Sequence, residues 1–310
     1  MNNGKDSTDI YGDSLIIQHY VAVDGLAIHY RVMGRGPAVV LLHDSPRSSR
    51  LHLDTMRILS QTYTVFALDT PGYGNSAPLA ASTPTIHDFA ASLNGVLVAL
   101  QLTDAPLYAT HTSAKIALEY AASFPRTAPI VLDGLSIPVG PPNDAFIAAY
   151  MRPMAVEATG GYLAAEWTRM RDMVRWFPWF TLSAENRMPV PAPTDAWLND
   201  YAIDFFAAGP HYSGAYKAAM YYDPMPALLR VTSPILVAAR TDDVLYSSLD
   251  RVPAAENPNL TVQRLSDDRG AWMDWMKSAL ATDVPAPATV SAPISSLSRL
   301  MLDLPNGRLH

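Results

Sequence analysis

The chain has no cysteine, which excludes disulfides, thiolate catalysis and cysteine-based metal sites. It has no basic cluster, and its formal net charge is −7. Nucleic acid is therefore not an expected partner, since phosphate binding needs a positive surface. No apolar run approaches the roughly 18 residues of a membrane-spanning helix. Residues 1–13, MNNGKDSTDIYGD, lack the basic-then-apolar layout of a secretory leader. A cytoplasmic protein without membrane contact is expected. No metal-ligating triad is visible, and Gly34-Arg35-Gly36 is too short for a phosphate-binding glycine loop. No metal or cofactor is expected.

What is present is 310 residues, 49% of them hydrophobic, enough for one large core with a small lid. Residues 15–23 and 26–33 alternate as strands joined through Asp24-Gly25, a hairpin signal. The run AVVLL at 38–42 is apolar throughout, as in a central parallel strand covered on both faces. Further strands are expected at 64–68, 106–110, 129–132, 234–239 and 260–265, with helices at 51–60, 85–100, 112–120 and 272–280. This alternation predicts an α/β fold with a doubly wound, mostly parallel sheet. Ligand sites in such sheets lie at the carboxyl ends of the strands.

Residues 139–229 read differently. They contain no β-like run, and Trp, Met, Phe and Tyr recur at helical spacings, which predicts an inserted helical cap. The core is then 13–138 together with 230–281, after a flexible extension at 1–12. The tail at 282–310 is rich in Pro, Ala and Ser and is expected to be a loose arm. Its apolar patch at 297–304 offers a docking face for the body or for a second copy, so a homodimer is among the expected states.

The most informative stretch is 105–120, APLYATHTSAKIALEY. A buried strand runs into a helix through a single residue, His111. That residue is expected at positive φ, a conformation in which histidine is enriched among non-glycine residues. Its neighbours Ala109, Ser113 and Ala114 are small, as a nucleophile elbow requires, but histidine stands where the nucleophile belongs.

With His43-Asp44-Ser45-Pro46, then Asp69-Thr70-Pro71-Gly72-Tyr73-Gly74-Asn75-Ser76, then the elbow, the chain resembles the capped branch of the α/β-hydrolase superfamily, which includes epoxide hydrolases and haloalkane dehalogenases. The resemblance covers about 15–281. It implies an oxyanion hole from the amides of Ser45 and Thr112 and a catalytic acid at Asp242. The family's late histidine should follow the 260–265 strand. That loop reads Ser266-Asp267-Asp268-Arg269-Gly270-Ala271, so Arg269 falls at the expected place and a Ser-His-Asp mechanism cannot operate.

The imidazole has in effect moved onto the elbow. The helix N-terminus beneath His111 disfavours positive charge, so a neutral ring acting as base or nucleophile is expected. Asp242, Asp44 or Asp133 would orient it. Arg269 cannot accept a proton; it either pairs with Asp242 or Asp268, or clamps a substrate carboxylate or enolate. His43, Asp69 and Ser113 read as structural. Rings of the cap, Trp167, Trp176, Trp179, His211 and Tyr212, are expected to line a cleft for a bulky apolar or aromatic small molecule. Three functions remain open: hydrolysis of an ester, lactone or activated carbonyl compound, a lyase, isomerase or cyclisation reaction, and ligand binding without catalysis.

Overall fold

The computed structural model describes residues 15–287 apart from 125 and 189, and the backbone of 303–304 and 307–308, which pair as a short antiparallel ladder. The expected extension at 1–12 lies outside the described residues, as does the patch at 297–304 except for the backbone of its last two positions. Strands β1 (Ile17–Val23) and β2 (Leu26–Met33) form the expected hairpin. Its turn residues Asp24 and Gly25 take φ of 49° and 79°, the left-handed pair that a two-residue hairpin loop needs.

The chain continues through β3 (Ala38–Leu42), α1 (Leu53–Leu59), β4 (Thr64–Leu68), α2 (Ile86–Ala99), β5 (Leu107–Thr110), α3 (Thr112–Ser123) and β6 (Ile130–Asp133). Helix α2 starts at a capping box in which Thr85 and Asp88 satisfy each other's amides. After a helical insertion come β7 (Ile235–Arg240) and β8 (Leu260–Leu265). One eight-stranded sheet results, in the order β1-β2-β4-β3-β5-β6-β7-β8, parallel from β4 through β8. Every residue of β3 and β4 is buried, because helices cover both faces there. The central position of β5 sets its carboxyl end, where the elbow lies, in the middle of the sheet's upper edge.

The insertion between β6 and β7 contains α4 (Asp144–Tyr150), α5 (Gly161–Met173), α6 (Asp195–Ala208), α7 (Gly214–Tyr221) and α8 (Met225–Arg230), with no strand among its described residues. The last helix, α9 (Arg269–Ala279), packs back on the sheet. Met170, Met173, Tyr201, Phe205 and Tyr212 are buried within the insertion. Arg169, also buried, is held by Glu166 and by the Tyr212 hydroxyl.

Three polar ties hold the insertion to the sheet. Asp204 on α6 accepts from Arg47 Nε at 2.8 Å and Ser48 Oγ at 2.7 Å. The Tyr73 hydroxyl donates to the Tyr212 carbonyl at 2.8 Å and accepts the Ala215 amide at 3.1 Å. Lys115 on α3 donates to the carbonyls of Ala219 and Tyr222 at 2.9 and 3.0 Å. The tail departs from expectation at its start: the Ala38 amide opens β3 by donating to the Val284 carbonyl at 2.8 Å, and Pro37 bridges Pro285. A strand-end N–H on a covered face needs an acceptor, and the tail supplies it.

Asp204 is 1% exposed and serves the buried guanidinium of Arg47. Asp204→Ala leaves that charge without a partner, and urea unfolding is expected to show a loss of about 3–5 kcal/mol. A loss below about 1 kcal/mol, the range of an exposed pair, would contradict the assigned tie.

Candidate active site

His111 takes φ 47° and ψ −109° between β5 and α3, the positive-φ bend expected from the one-residue junction. Its amide donates to the Asp133 carbonyl at 3.0 Å and its carbonyl accepts from Ala114 at 3.0 Å. Ala109 and Ala114 have no exposed surface. Ser113 Oγ accepts the Thr110 amide at 2.9 Å and lies 3.0 Å from the Leu42 carbonyl. Ser113 therefore braces the bend, which is the structural role read from the sequence.

The imidazole turns sideways onto the end of β7, where Nε2 meets Asp243 Oδ2 at 2.8 Å. Gly134, at φ 72°, leaves room for it: a Cβ there would lie 2.4 Å from His111 Cδ2 and 2.7 Å from Nε2. Asp242, Asp44 and Asp133 are the carboxylates expected to orient His111, and the structure places Asp243, the neighbour of the first, on the ring instead. The Asp243 amide closes a turn onto the Arg240 carbonyl at 2.9 Å, which brings residue 243 back over the strand end. Asp242 swings outward to Arg240 Nε at 3.0 Å. Asp243 Oδ1 is fixed by the Leu245 amide at 2.8 Å.

The neutral imidazole expected from the helix N-terminus is not what the surroundings favour. Burial works against charge on His111. The Asp243 carboxylate, its hydrogen bond, and Asp44 and Asp133 beyond it outweigh burial and lift the imidazole to about 9. Asp243, also penalised by burial, is nevertheless held below the ordinary carboxylate range by the His111 charge and the Leu245 amide. At neutral pH the pair is an imidazolium and a carboxylate. With Nε2 turned to Asp243, Nδ1–H is the proton the ring can offer elsewhere.

Asp133 is buried and Asp44 half-buried, and burial raises both carboxyl groups. Oδ1 of each has no hydrogen-bond partner among the described residues. Asp133 Oδ2 accepts from the Tyr108 hydroxyl and from Trp272 Nε1, the latter at 3.1 Å, so Asp133 is a braced wall group. His43 Nε2 accepts the Thr70 amide at 2.9 Å, which leaves its proton on Nδ1, 2.7 Å from the Asp44 carbonyl. That ring holds the 43–46 loop, as expected. Asp69 accepts from His29, Ser49 and Asn75 and is a buried turn group, also as expected.

His111 and the carboxylates border a cleft of about 930 Å³. Its polar wall holds Asp44, Asp133, Asp243, Arg240 and Arg269, and its apolar wall Leu51, Ile58, Trp197 and Trp272. Arg269 lies 3.9 Å from Asp242 with 69% of its side chain exposed, a loose version of the expected pair. Thr112 opens α3, so its amide has no carbonyl one turn back in the helix. Ser45 adjoins Asp44 on the loop facing it.

The ring set expected to line the cleft lies elsewhere. Trp167 is on the outer surface, 40% exposed. Trp176 bridges Arg187, and Trp179 donates to the Tyr150 carbonyl at 2.9 Å while stacking on Arg152 and Arg169. Tyr212 is fully buried against Phe205, and His211 is exposed beside Gly72. The insertion's own core claims most of these rings, and Trp197 alone of its tryptophans reaches the cleft. Reasoning from sequence also missed two phenols near Asp44, Tyr201 and Tyr216, and Tyr150 beside the second. The Tyr150 and Tyr216 hydroxyls are 3.4 Å apart, and the Asp44 charge acts on Tyr201 and Tyr216, both raised first by burial. Among the described residues no group of three or more acidic or histidine side chains could hold a metal ion, and no helix is long and apolar enough to cross a membrane.

The family model described as "Alpha/beta hydrolase family" matches residues 39–287. The chain is 23% identical over 248 residues to Epoxide hydrolase 1 of Siraitia grosvenorii, covering 69% of this chain and 74% of that protein. It is 34% identical over 134 residues to an epoxide hydrolase of Caballeronia sordidicola, covering 43% and 40%. Among solved structures, an epoxide hydrolase of Vigna radiata superposes with a TM-score of 0.62 at 19% identity, over 85% of this chain and 96% of that one.

Titration of His111 by NMR is expected to centre near 9 and to fall in Asp243→Asn and in Gly134→Ala, where the pair is broken or pushed apart. Because the folded value is raised above 6.5, the pair's contribution to stability is complete below 6.5 and is lost as pH climbs to about 9. A wild-type titration below 7 would contradict the ion pair.

Proposed function

Because the chain belongs to the alpha/beta hydrolase family, we propose that it is an enzyme that hydrolyses a C–O bond in an ester, lactone or epoxide without forming a covalent intermediate. The observation that carries this is the 2.8 Å pair of His111 and Asp243 at the edge of the cleft. An imidazolium held by a carboxylate is neither a base nor a nucleophile, but it is a positioned acid. The base is Asp44, a carboxylate raised by burial whose Oδ1 has no hydrogen-bond partner among the described residues. Both proton affinities are raised, His111 to about 9 and Asp44 upward from 3.8, so between the two titrations the ring carries a proton to give and the carboxylate is free to take one.

Asp44 takes a proton from water as the water oxygen attacks the electrophilic carbon. The carbon–oxygen bond breaks, and His111 Nδ1–H passes its proton to the departing oxygen. Proton return from Asp44 to His111 through solvent restores both groups. With an acyl substrate, the amides of Ser45 and Thr112 stabilise the developing oxyanion, each such donor contributing roughly 2.7–4 kcal/mol. The helical insertion acts as the cap, and the faces of Trp197 and Trp272 favour a substrate with an apolar or aromatic body. The names of the relatives support hydrolysis of a strained C–O bond.

A screen of aryl esters, lactones and styrene oxide tests this reading. His111→Ala and Asp44→Asn are each expected to lower kcat/KM by about 10²–10⁴-fold. The wild-type profile is expected to be bell-shaped, falling above about 9 as His111 loses its proton. Its acid limb is expected above the ordinary 3.8 of an aspartate, since Asp44 must be ionised. Turnover by His111→Ala at the wild-type rate would refute the assignment.

A further inference from the structure

A second cleft, of about 730 Å³, lies between the start of α2, α3 and the helices α7 and α8. Gly214, Lys217, Ala218 and Tyr221 line it, a spacing that selects one face of α7. Tyr216 projects from the opposite face, toward Asp44. The two clefts share no lining residue.

The walls are apolar where Ile86, Pro226 and Ala227 meet. The charges around them nearly cancel, with one exception. Glu119 is engaged by the Tyr222 hydroxyl at 2.7 Å and by Arg230 Nη2 at 3.0 Å from both oxygens. His87 Nδ1 lies 3.4 Å from the same carboxylate. The Asp223 charge acts on the ammonium of Lys115. Lys217 is exposed and has no partner among the described residues.

We propose that this cleft binds an amphipathic monocarboxylate, its chain along the Ile86–Pro226 wall and its carboxylate on Lys217. A single uncompensated cation matches one negative charge, and a cavity of this size matches a chain or ring of ordinary ligand dimensions. Polyanions such as phosphate esters are disfavoured by Glu119 and Asp223 on the same rim.

Titration calorimetry of the full chain with decanoate, and with decan-1-ol as the uncharged control, tests the proposal. Decanoate is expected to saturate one site per chain. Lys217→Glu, an exposed substitution checked for unchanged melting, is expected to weaken binding about tenfold, or 1.4 kcal/mol. Lys217→Arg is expected to retain binding, as is Trp197→Ala, a residue that lines the His111 cleft and not this one. The proposal is overturned by unchanged affinity in Lys217→Glu, by loss in Trp197→Ala, or by decan-1-ol binding as tightly as decanoate. It is also overturned if no saturable uptake appears up to about 10 mM, well beyond millimolar dissociation constants.

Discussion

A charged hydrogen bond, His111 Nε2 to Asp243 Oδ2 at 2.8 Å, is the contact on which the site's chemistry depends. The elbow at φ 47° aims the ring, Gly134 clears its path, and the turn after β7 returns Asp243 to receive it. Each piece belongs to a different strand end, so the pair exists only when β5, β6 and β7 stand side by side. Backbone strain at the elbow is tolerated because the surrounding sheet over-determines it. Ser113 and the buried alanines beside it are the local part of that support.

The helical insertion closes the other side through apolar packing continuous with the sheet's core, to which buried polar contacts are added. Asp204, Tyr73 and Lys115 each connect one of its helices to a loop or helix of the sheet. Lys115 lies four residues after His111, and burial lowers its ammonium to about 8. The same helix thus starts at the bend and ends its first turn holding the C-terminal carbonyls of α7. Tyr216 on α7 and Tyr201 on α6 are close enough to Asp44 to feel its charge. The insertion therefore sets the electrostatic surroundings of Asp44 as well as its burial.

Most of the sheet was legible from local pattern. Hydrophobic runs at 38–42 and 64–68 coincide with β3 and β4, and the abrupt strand-to-helix junction marked His111 without any structural knowledge. What local pattern could not resolve was direction. In Asp242-Asp243 both residues follow a strand, and only the Arg240–Asp243 turn decides which carboxylate faces inward. The protonation of His111 was equally hidden, because it is set by three carboxylates distant in sequence rather than by the helix end beneath it. Helices α4 to α8 lie within 139–229, but the aromatic spacing there does not say which rings face the sheet. Trp179 and Tyr212 are consumed by Arg169 and the insertion's own packing, a partition that composition cannot reveal.

The central claim is that His111 gives up a proton without ever bonding to substrate. Rapid-quench mass spectrometry of a single turnover in heavy-oxygen water addresses it most directly. The account predicts one solvent oxygen in the product of the first turnover and an unchanged mass for the intact chain at every quench time. A transient mass increase on the peptide containing His111, or a product free of solvent oxygen, would contradict it.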